Sequence, residues 1–396
     1  MASLLLVSCD AVCAYVRGLE GCGALLGHIG TEAFVVEEIT GGNLNFTWRV
    51  ACAANGRSVF VKQAPDFIKC LGEGHALPSK RIAVEVEALR AFRAVAPKHT
   101  PDVLAFDAAR CVAVLEDLRG FSLLRDELIT QPAGVSPRLA ADLGVFLAAV
   151  RSATAGREAE FAGRLGGDNN AAMRAITRAF VFTKPFDEHD ETNRDVAASP
   201  ALGLKAAALR RDSTVLAAVA AARRAFDDDR HCLCHGDLHA GSVMTDGDRA
   251  VVIDAEFAFF GPFAFDAALL LAGYVFAYCA ARAHARDAAD AVRRRAAALA
   301  LLAATWDAYA AGLDPAARSA TLAAAAAFAG CELLRRVLGA AQVADLSSIS
   351  DAVRRQAAEL LAVAVGERLV LDRPAALDDW VVLLRDAADA NAFSCD

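Results

Sequence analysis

The sequence predicts an α+β fold of two lobes, a small β-rich N-terminal lobe and a larger, mostly helical C-terminal lobe. Three observations carry this expectation. The first third alternates apolar and polar residues at strand spacing, and the chain from Pro137 onward is dominated by helical spacing. Between them the acidic segment 116–120 reads as a hinge, so the expected division is residues 1–117 and residues 118–396.

Taken in order, residues 10–17 place Val12, Tyr15 and Val16 on one side, as a short amphipathic helix does. Residues 33–39 are an apolar run interrupted near its end by Glu37 and Glu38, and 46–52 and 58–63 alternate like half-buried strands. Asn55 and Gly56 join the latter two, and both tolerate the positive φ of a tight hairpin. Residues 79–95 show helical spacing, with Ile82, Val86, Leu89 and Phe92 on one face. Residues 112–115 form a short apolar strand that runs into the hinge. In the second lobe two strands return within 232–253, around the turn Asp246-Gly247-Asp248. Residues 164–211 read as an irregular, polar insertion of the kind that serves as a lid, and 328–343 as an apolar helix interrupted by Arg335 and Arg336.

Composition narrows the class. Of 396 residues 56 % are apolar and 23 % charged, which describes a folded chain with a large core. Alanine inflates the apolar share, and no window holds the eighteen uninterrupted apolar residues of a spanning helix. The run 4–7 is preceded by no Lys or Arg and followed by Asp10, unlike a secretory signal, so a cytoplasmic address and no membrane partner are expected. Eleven scattered cysteines without a C-x-x-C pair read as reduced thiols rather than zinc ligands. A net charge of −8 excludes general nucleic-acid binding but leaves room for a local basic pocket.

The chemistry concentrates between His235 and Glu256. His235-Gly236-Asp237-Leu238-His239 follows a buried strand, so Asp237 sits on a loop at a strand end. Asp254 comes 17 residues later, with Glu256 two beyond it. Carboxylates brought together repel unless a cation or a proton joins them. Phosphoryl transfer supplies both, because one carboxylate orients the acceptor hydroxyl and others hold Mg²⁺ against nucleotide phosphates. Upstream parts suit the same reaction. Gly41-Gly42-Asn43-Leu44-Asn45 lies between two strands, where glycine lets the backbone approach phosphate. Lys62 stands among apolar neighbours on the next strand, placed to meet phosphates, and a carboxylate from the following helix is its expected partner. Glu85 and Glu87 both qualify. Glu85 is preferred, since Leu89 and Phe92 then fall behind it. The twin Arg335-Arg336 on an apolar helix requires anionic company or a solvated edge.

The strings HGDLHAGSVM and VIDAEFAFFGPFAFD resemble the signature of the 5-methylthioribose kinase family, sugar kinases of the protein-kinase-like superfamily that includes aminoglycoside phosphotransferases and choline kinases. GGNLNFTWRV is similar to that family's glycine-rich loop, FVKQAPDFIKCLGEG to its lysine strand, VLEDL to its hinge and GCELLRRVLGAAQVADL to its twin-arginine segment. Ser242 and the tripeptide Asp254-Ala255-Glu256 are the discriminating positions, although Ala255 stands where relatives commonly carry proline. A threonine precedes the glycines where relatives often have an acid.

The resemblance implies an ATP-dependent kinase acting on the 1-hydroxyl of 5-methylthioribose, in methionine salvage. It implies that Gly42, Asn43, Asn45 and Lys62 contact ATP with Glu85 in support. Glu116, Asp117 and Leu118 would hold the adenine edge through backbone groups. Asp237 would be the base, Asp254 and Glu256 the Mg²⁺ ligands with Ala255 between them, and Arg335 and Arg336 substrate contacts. A homodimer is implied as well. Two other readings use the same residues. One is a kinase of another small hydroxyl acceptor (an aminoglycoside, choline or homoserine), for which an acid-lined lobe is expected. The other is a nucleotide-binding pseudokinase scaffold, which the presence of Lys62, Asp237 and Asp254 argues against.

Overall fold

The computed structural model describes residues 5–27, 34–40, 42, 44–196 and 199–392. Ala33, Gly41 and Asn43, named above for the first strand and the glycine-rich loop, lie outside the described residues. The chain divides into two units, each with its own core. The first comprises Met1–Phe121 with two later pieces, Ala159–Met173 and Val251–Ala258; the second is Ser122–Glu158, Arg174–Ala250 and Phe259–Asp396. The Asp254 segment thus belongs to the first unit.

In the first unit helix α1 (Cys9–Arg17) is capped by Ser8, whose hydroxyl accepts from the Ala11 amide. An antiparallel sheet follows, built from β1 (Phe34–Glu38), β2 (Phe46–Cys52), β3 (Ser58–Gln63), β4 (Val103–Asp107) and β5 (Val112–Glu116), in the order β1-β2-β3-β5-β4. Both β2 and β3 have the limits their alternation predicts. The register sets Thr47 and Ala113 on either side of Lys62. Val12 and Val16 of α1 join Trp48, Val50, Val59, Val61, Val112 and Val114 in one apolar core. Strand alternation therefore turns Lys62 to the face opposite Val59 and Val61. Helix α2 (Arg81–Val95) buries Ile82, Val86, Leu89 and Phe92 as its spacing predicts. Asn170 ties a later piece of chain into this unit, because its Nδ2 donates to the carbonyls of Glu256 at 2.9 Å and Ala258 at 3.0 Å.

The second unit is largely helical. Its elements include α3 (Leu124–Thr130), α4 (Pro137–Thr154), β6 (Cys232–Cys234), β7 (Val243–Thr245), β8 (Phe259–Gly261), α5 (Phe265–His284), α6 (Ala288–Ala310), α7 (Pro315–Leu338), α8 (Ala344–Ser347) and α9 (Ala352–Asp372). Strands β6 and β8 pair antiparallel, with Cys234 opposite Phe259. Helix α5 is long and apolar enough to cross a membrane, but its apolar window is 94 % buried, and it serves as the core helix of this unit. The ten cysteines among the described residues are all free.

Two expectations are corrected. Residues 164–211 are not irregular throughout, since Ala171–Phe182 and Pro200–Arg211 are helices. Met173, Leu202, Ala206 and Leu209 face inward at helical spacing, and Arg174 and Thr177 are buried as well. Helix α7 begins well before Phe328 and ends at Leu338 rather than Val343. Asp314 caps it by accepting from the Ala317 amide, Pro315 takes the first turn, the alanine run continues it and Gly339 stops it. At Gly330 the helix presses on α9 so closely that a Cβ would lie 2.6 Å from the Gly366 carbonyl oxygen.

Candidate active site

Each unit gathers a cluster of charged groups, and the two clusters have opposite character. In the first, the ammonium of Lys62 lies 2.8 Å from Glu85 and 2.6 Å from Asp254 Oδ1. Lys62 and Glu85 are buried, whereas the Asp254 side chain is 53 % exposed. Burial would lower the Lys62 pKa, but the charges of Asp254, Glu85 and Glu256 outweigh it and hold the ammonium above its ordinary value. Glu85 moves up to about 7, from burial first and then from the two other carboxylates, against the pull of Lys62. Two acids share one lysine, and Glu256 adds its charge without touching it. Glu87, the other candidate, lies outside this cluster and pairs with Arg90 at 2.9 Å.

Asp254 has φ 63 and ψ 47, left-handed backbone that Asp tolerates better than most residues. The 3-10 turn Ala255–Phe257 follows at once and buries Ala255 and Glu256. Both Glu256 oxygens are engaged: Asn45 Nδ2 donates to Oε1 at 2.9 Å and Arg81 Nε to Oε2 at 3.0 Å. Arg81 also donates to Asn45 Oδ1 at 2.9 Å, to the Leu44 carbonyl at 2.9 Å and to the Pro65 carbonyl at 2.7 Å. One buried guanidinium thus fastens the end of the glycine-rich segment to the acid of the tripeptide. Sequence reasoning missed Arg81, because an arginine at a helix start has no pattern that separates it from a surface residue. Of the glycine-rich segment, Gly42 is exposed.

At the end of β5 the acids have structural duties for their side chains. Glu116 Oε2 accepts from the Asp102 amide at 3.1 Å. Asp117 Oδ2 accepts from Arg49 Nε at 2.7 Å and Ser58 Oγ at 2.6 Å. Leu118 is buried, and its carbonyl accepts from the Phe121 amide at 3.1 Å. One oxygen of each carboxylate is thus committed within the fold.

In the second unit the loop after β6 is held by Asp266, at the start of α5, whose oxygens accept from the His235 amide at 2.5 Å and the Gly236 amide at 3.0 Å. Gly236 has φ 88, a turn that suits glycine. Ser242 Oγ donates to the Asp237 carbonyl at 2.8 Å, and His239 Nδ1 accepts from the Gly241 amide at 2.9 Å. Asp266 was also missed, although it closes the string that begins at Val252.

Around Asp237 stand His239 Nε2 at 3.5 Å from Oδ2, and Arg335 Nη2 and Arg336 Nη2 at 3.6 and 3.8 Å from Oδ1. These are ion-pair distances longer than a direct hydrogen bond. Burial would raise the Asp237 pKa, but His239, Arg336 and Arg335 outweigh it and hold the carboxyl well below the usual range. The anionic company of the arginines is Glu332, one turn earlier on α7. It accepts from Arg335 Nε at 2.5 Å and Nη2 at 3.0 Å, and from Arg336 Nε at 2.7 Å. Both arginines are buried, so they do not form a solvated edge. Spacings of three and four residues place Glu332 under both, a signal the sequence offered.

The residues can be tested against a divalent metal. Among the described residues no group of three or more His, Cys, Asp or Glu could hold one by protein ligands alone. Mg²⁺ asks for less, since it is commonly held by one or two carboxylates with substrate phosphates and water. Asp254 suits that role as a half-exposed hard oxygen donor beside an acid-rich cluster. Glu256 would have to release Asn45 or Arg81 to join it.

A profile described as the phosphotransferase enzyme family matches residues 35–311. A methylthioribose kinase of Yersinia enterocolitica is 33 % identical over 379 residues, 88 % of this chain and 92 % of its own length. Another, from Pectobacterium carotovorum, is 33 % identical and covers 88 % and 91 %. An ethanolamine kinase of Plasmodium vivax superposes with a TM-score of 0.51 at 12 % identity, over 89 % of this chain and 88 % of its own, and shares the kinase fold.

Proposed function

The chain belongs to the phosphotransferase enzyme family and within it to the methylthioribose kinases, and from that membership we propose that it transfers the γ-phosphoryl of ATP to the 1-hydroxyl of 5-methylthioribose. The product, 5-methylthioribose 1-phosphate, is the form that methionine salvage uses. The observation that carries the choice of acceptor is the buried Arg335-Arg336-Glu332 group beside Asp237. Two fixed guanidinium groups favour a neutral acceptor that becomes an anionic phosphate, and they repel choline or an aminoglycoside.

Asp237 orients the hydroxyl. Held anionic by the neighbouring arginines, it is placed to take the hydroxyl proton as transfer proceeds, which a loose phosphoryl-transfer transition state permits. The arginines then stabilise charge gathering on the transferred group. Lys62, kept cationic by its acids, meets the nucleotide phosphates, and Arg81 with Asn45 fixes the glycine-rich segment above them. The backbone of Glu116 to Leu118 receives the adenine edge. Asp254, with Glu256 behind it, would hold Mg²⁺, which when bound neutralises phosphate charge.

The test is an acceptor panel read by ADP release and by phosphorus NMR of the product. Turnover on methylthioribose with phosphate on C1 is expected. Turnover on choline or kanamycin but not on methylthioribose would overturn the assignment.

A further inference from the structure

The loop that carries Asp237 holds that residue's backbone from both sides. The Asp237 amide donates to His235 Nδ1 at 3.3 Å, and its carbonyl accepts from Ser242 Oγ at 2.8 Å. The side chain keeps its freedom, and at 30 % exposure it is open to an acceptor hydroxyl. Two buried guanidinium groups face it, yet they stand off at 3.6 and 3.8 Å from Oδ1. A carboxylate beside two such forks tends to turn into a direct, bidentate ion pair, which would occupy the lone pairs that the hydroxyl needs. Glu332 accounts for the arginines' half of this stand-off, because it takes the Nε of each. The acid's half needs a holder of its own.

The group on the far oxygen is His239, whose Nε2 lies 3.5 Å from Oδ2. The Gly241 amide donates to His239 Nδ1 at 2.9 Å, which leaves the ring proton on Nε2, toward Asp237. Gly241 serves the ring a second time. Its φ is not left-handed, so torsion does not call for glycine there. Space does, since a Cβ would lie 2.8 Å from His239 Cε1 and 2.9 Å from Nδ1. Gly241 thus fixes both the place of the ring and the direction of its proton. The 3.5 Å gap is longer than a direct hydrogen bond, and catalytic contacts of this kind commonly tighten once substrate is bound.

We propose that His239 is a positioning residue, whose Nε2–H holds Asp237 Oδ2 and keeps the carboxylate from collapsing onto Arg335 and Arg336. A lone pair then stays directed at the acceptor hydroxyl. This rests on the reading of Asp237 as the residue that orients that hydroxyl. The ring also caps the 3-10 turn Ala240–Ser242, and capping alone would make it a structural residue. Two amide substitutions separate the roles. H239N keeps an acceptor at the depth of Nδ1 but has no donor that reaches Asp237, whereas H239Q carries an amide N–H to the depth of Nε2.

The experiment follows kcat, both KM values and urea midpoints for the full chain and for H239N, H239Q, H239A, G241A and H239A/G241A, with ATP and methylthioribose. H239N is expected to lower kcat by about 10- to 100-fold, with the ATP KM within about twofold of wild type and the urea midpoint unmoved. H239Q should recover kcat to within about fivefold of wild type. G241A displaces the ring and should match H239A, and the double variant should fall no lower than H239A alone, a non-additivity that two separate structural losses would not produce. A wild-type kcat in H239N, an H239Q as poor as H239N, or additive losses in the double variant would each overturn the proposal. Should H239N fail to fold, H239Q is compared with H239A by the same rule. If the wild type phosphorylates a different hydroxyl acceptor, the sugar assigned above is wrong, and the same series on that acceptor decides His239. A wild type that transfers phosphate to no acceptor would overturn both.

Discussion

The cluster around Lys62 and the cluster around Asp237 solve opposite electrostatic problems. In the first, the carboxylates of Glu85, Asp254 and Glu256 outnumber Lys62 and Arg81. In the second, two buried guanidinium groups, Arg335 and Arg336, share Glu332 and converge on Asp237. An acid surplus prepares for a metal ion, and two guanidinium groups turned on one carboxylate prepare for an anion as it forms. The pKa directions agree, because Glu85 is pushed up while Asp237 and Glu332 are held down. The comparison teaches that each cluster is least tolerant of losing the charge that bridges its like-charged groups.

That statement can be broken. E332A removes the acid that bridges two buried guanidinium groups, and should cost about 3–5 kcal/mol in urea unfolding. R81M removes a minority cation from the first cluster and strands Glu256. It should cost about 3 kcal/mol and raise the KM for ATP more than that for the sugar. E85Q removes one of the surplus acids, and should cost under about 1.5 kcal/mol. If E85Q proved as damaging as E332A, the charge-surplus account would fail.

A pH series sharpens the same point. The Glu85 pKa is raised from 4.5 to about 7, so the folded chain holds that proton more tightly than the unfolded chain does. Its contribution is fully present below about pH 4.5 and is lost as pH climbs through about 7. Burial pushes the Asp345 carboxyl of α8 up to about 7 as well, which adds a slope of the same sign. Urea midpoints should therefore fall between pH 5 and pH 8, and less steeply in E85Q. An identical slope in E85Q would place the titration elsewhere.

Much of this was readable in the sequence where a residue's role followed from local pattern. Alternation and the Asn55-Gly56 turn bounded β2 and β3, and the apolar face of α2 separated Glu85 from Glu87. The cost of burying Arg335 and Arg336 demanded an acid, and Glu332 was within reach of that argument. Arg81, Asp266 and Asp345 were not readable in the same way. Arg81 and Asp266 meet partners 175 and 31 residues of chain away, and Asp345 Oδ1 has none among the described residues; no periodicity reports such pairings. The helices within 164–211 were hidden because polar residues such as Arg174 and Thr177 interrupt their apolar spacing even where they are buried.

The most direct test of the central claim is D237N, measured for turnover and for ATP binding in the same preparation. The account predicts that phosphorylation of methylthioribose falls by about 10³-fold or more while the nucleotide affinity stays within about threefold of wild type. Near-normal turnover in D237N would contradict it.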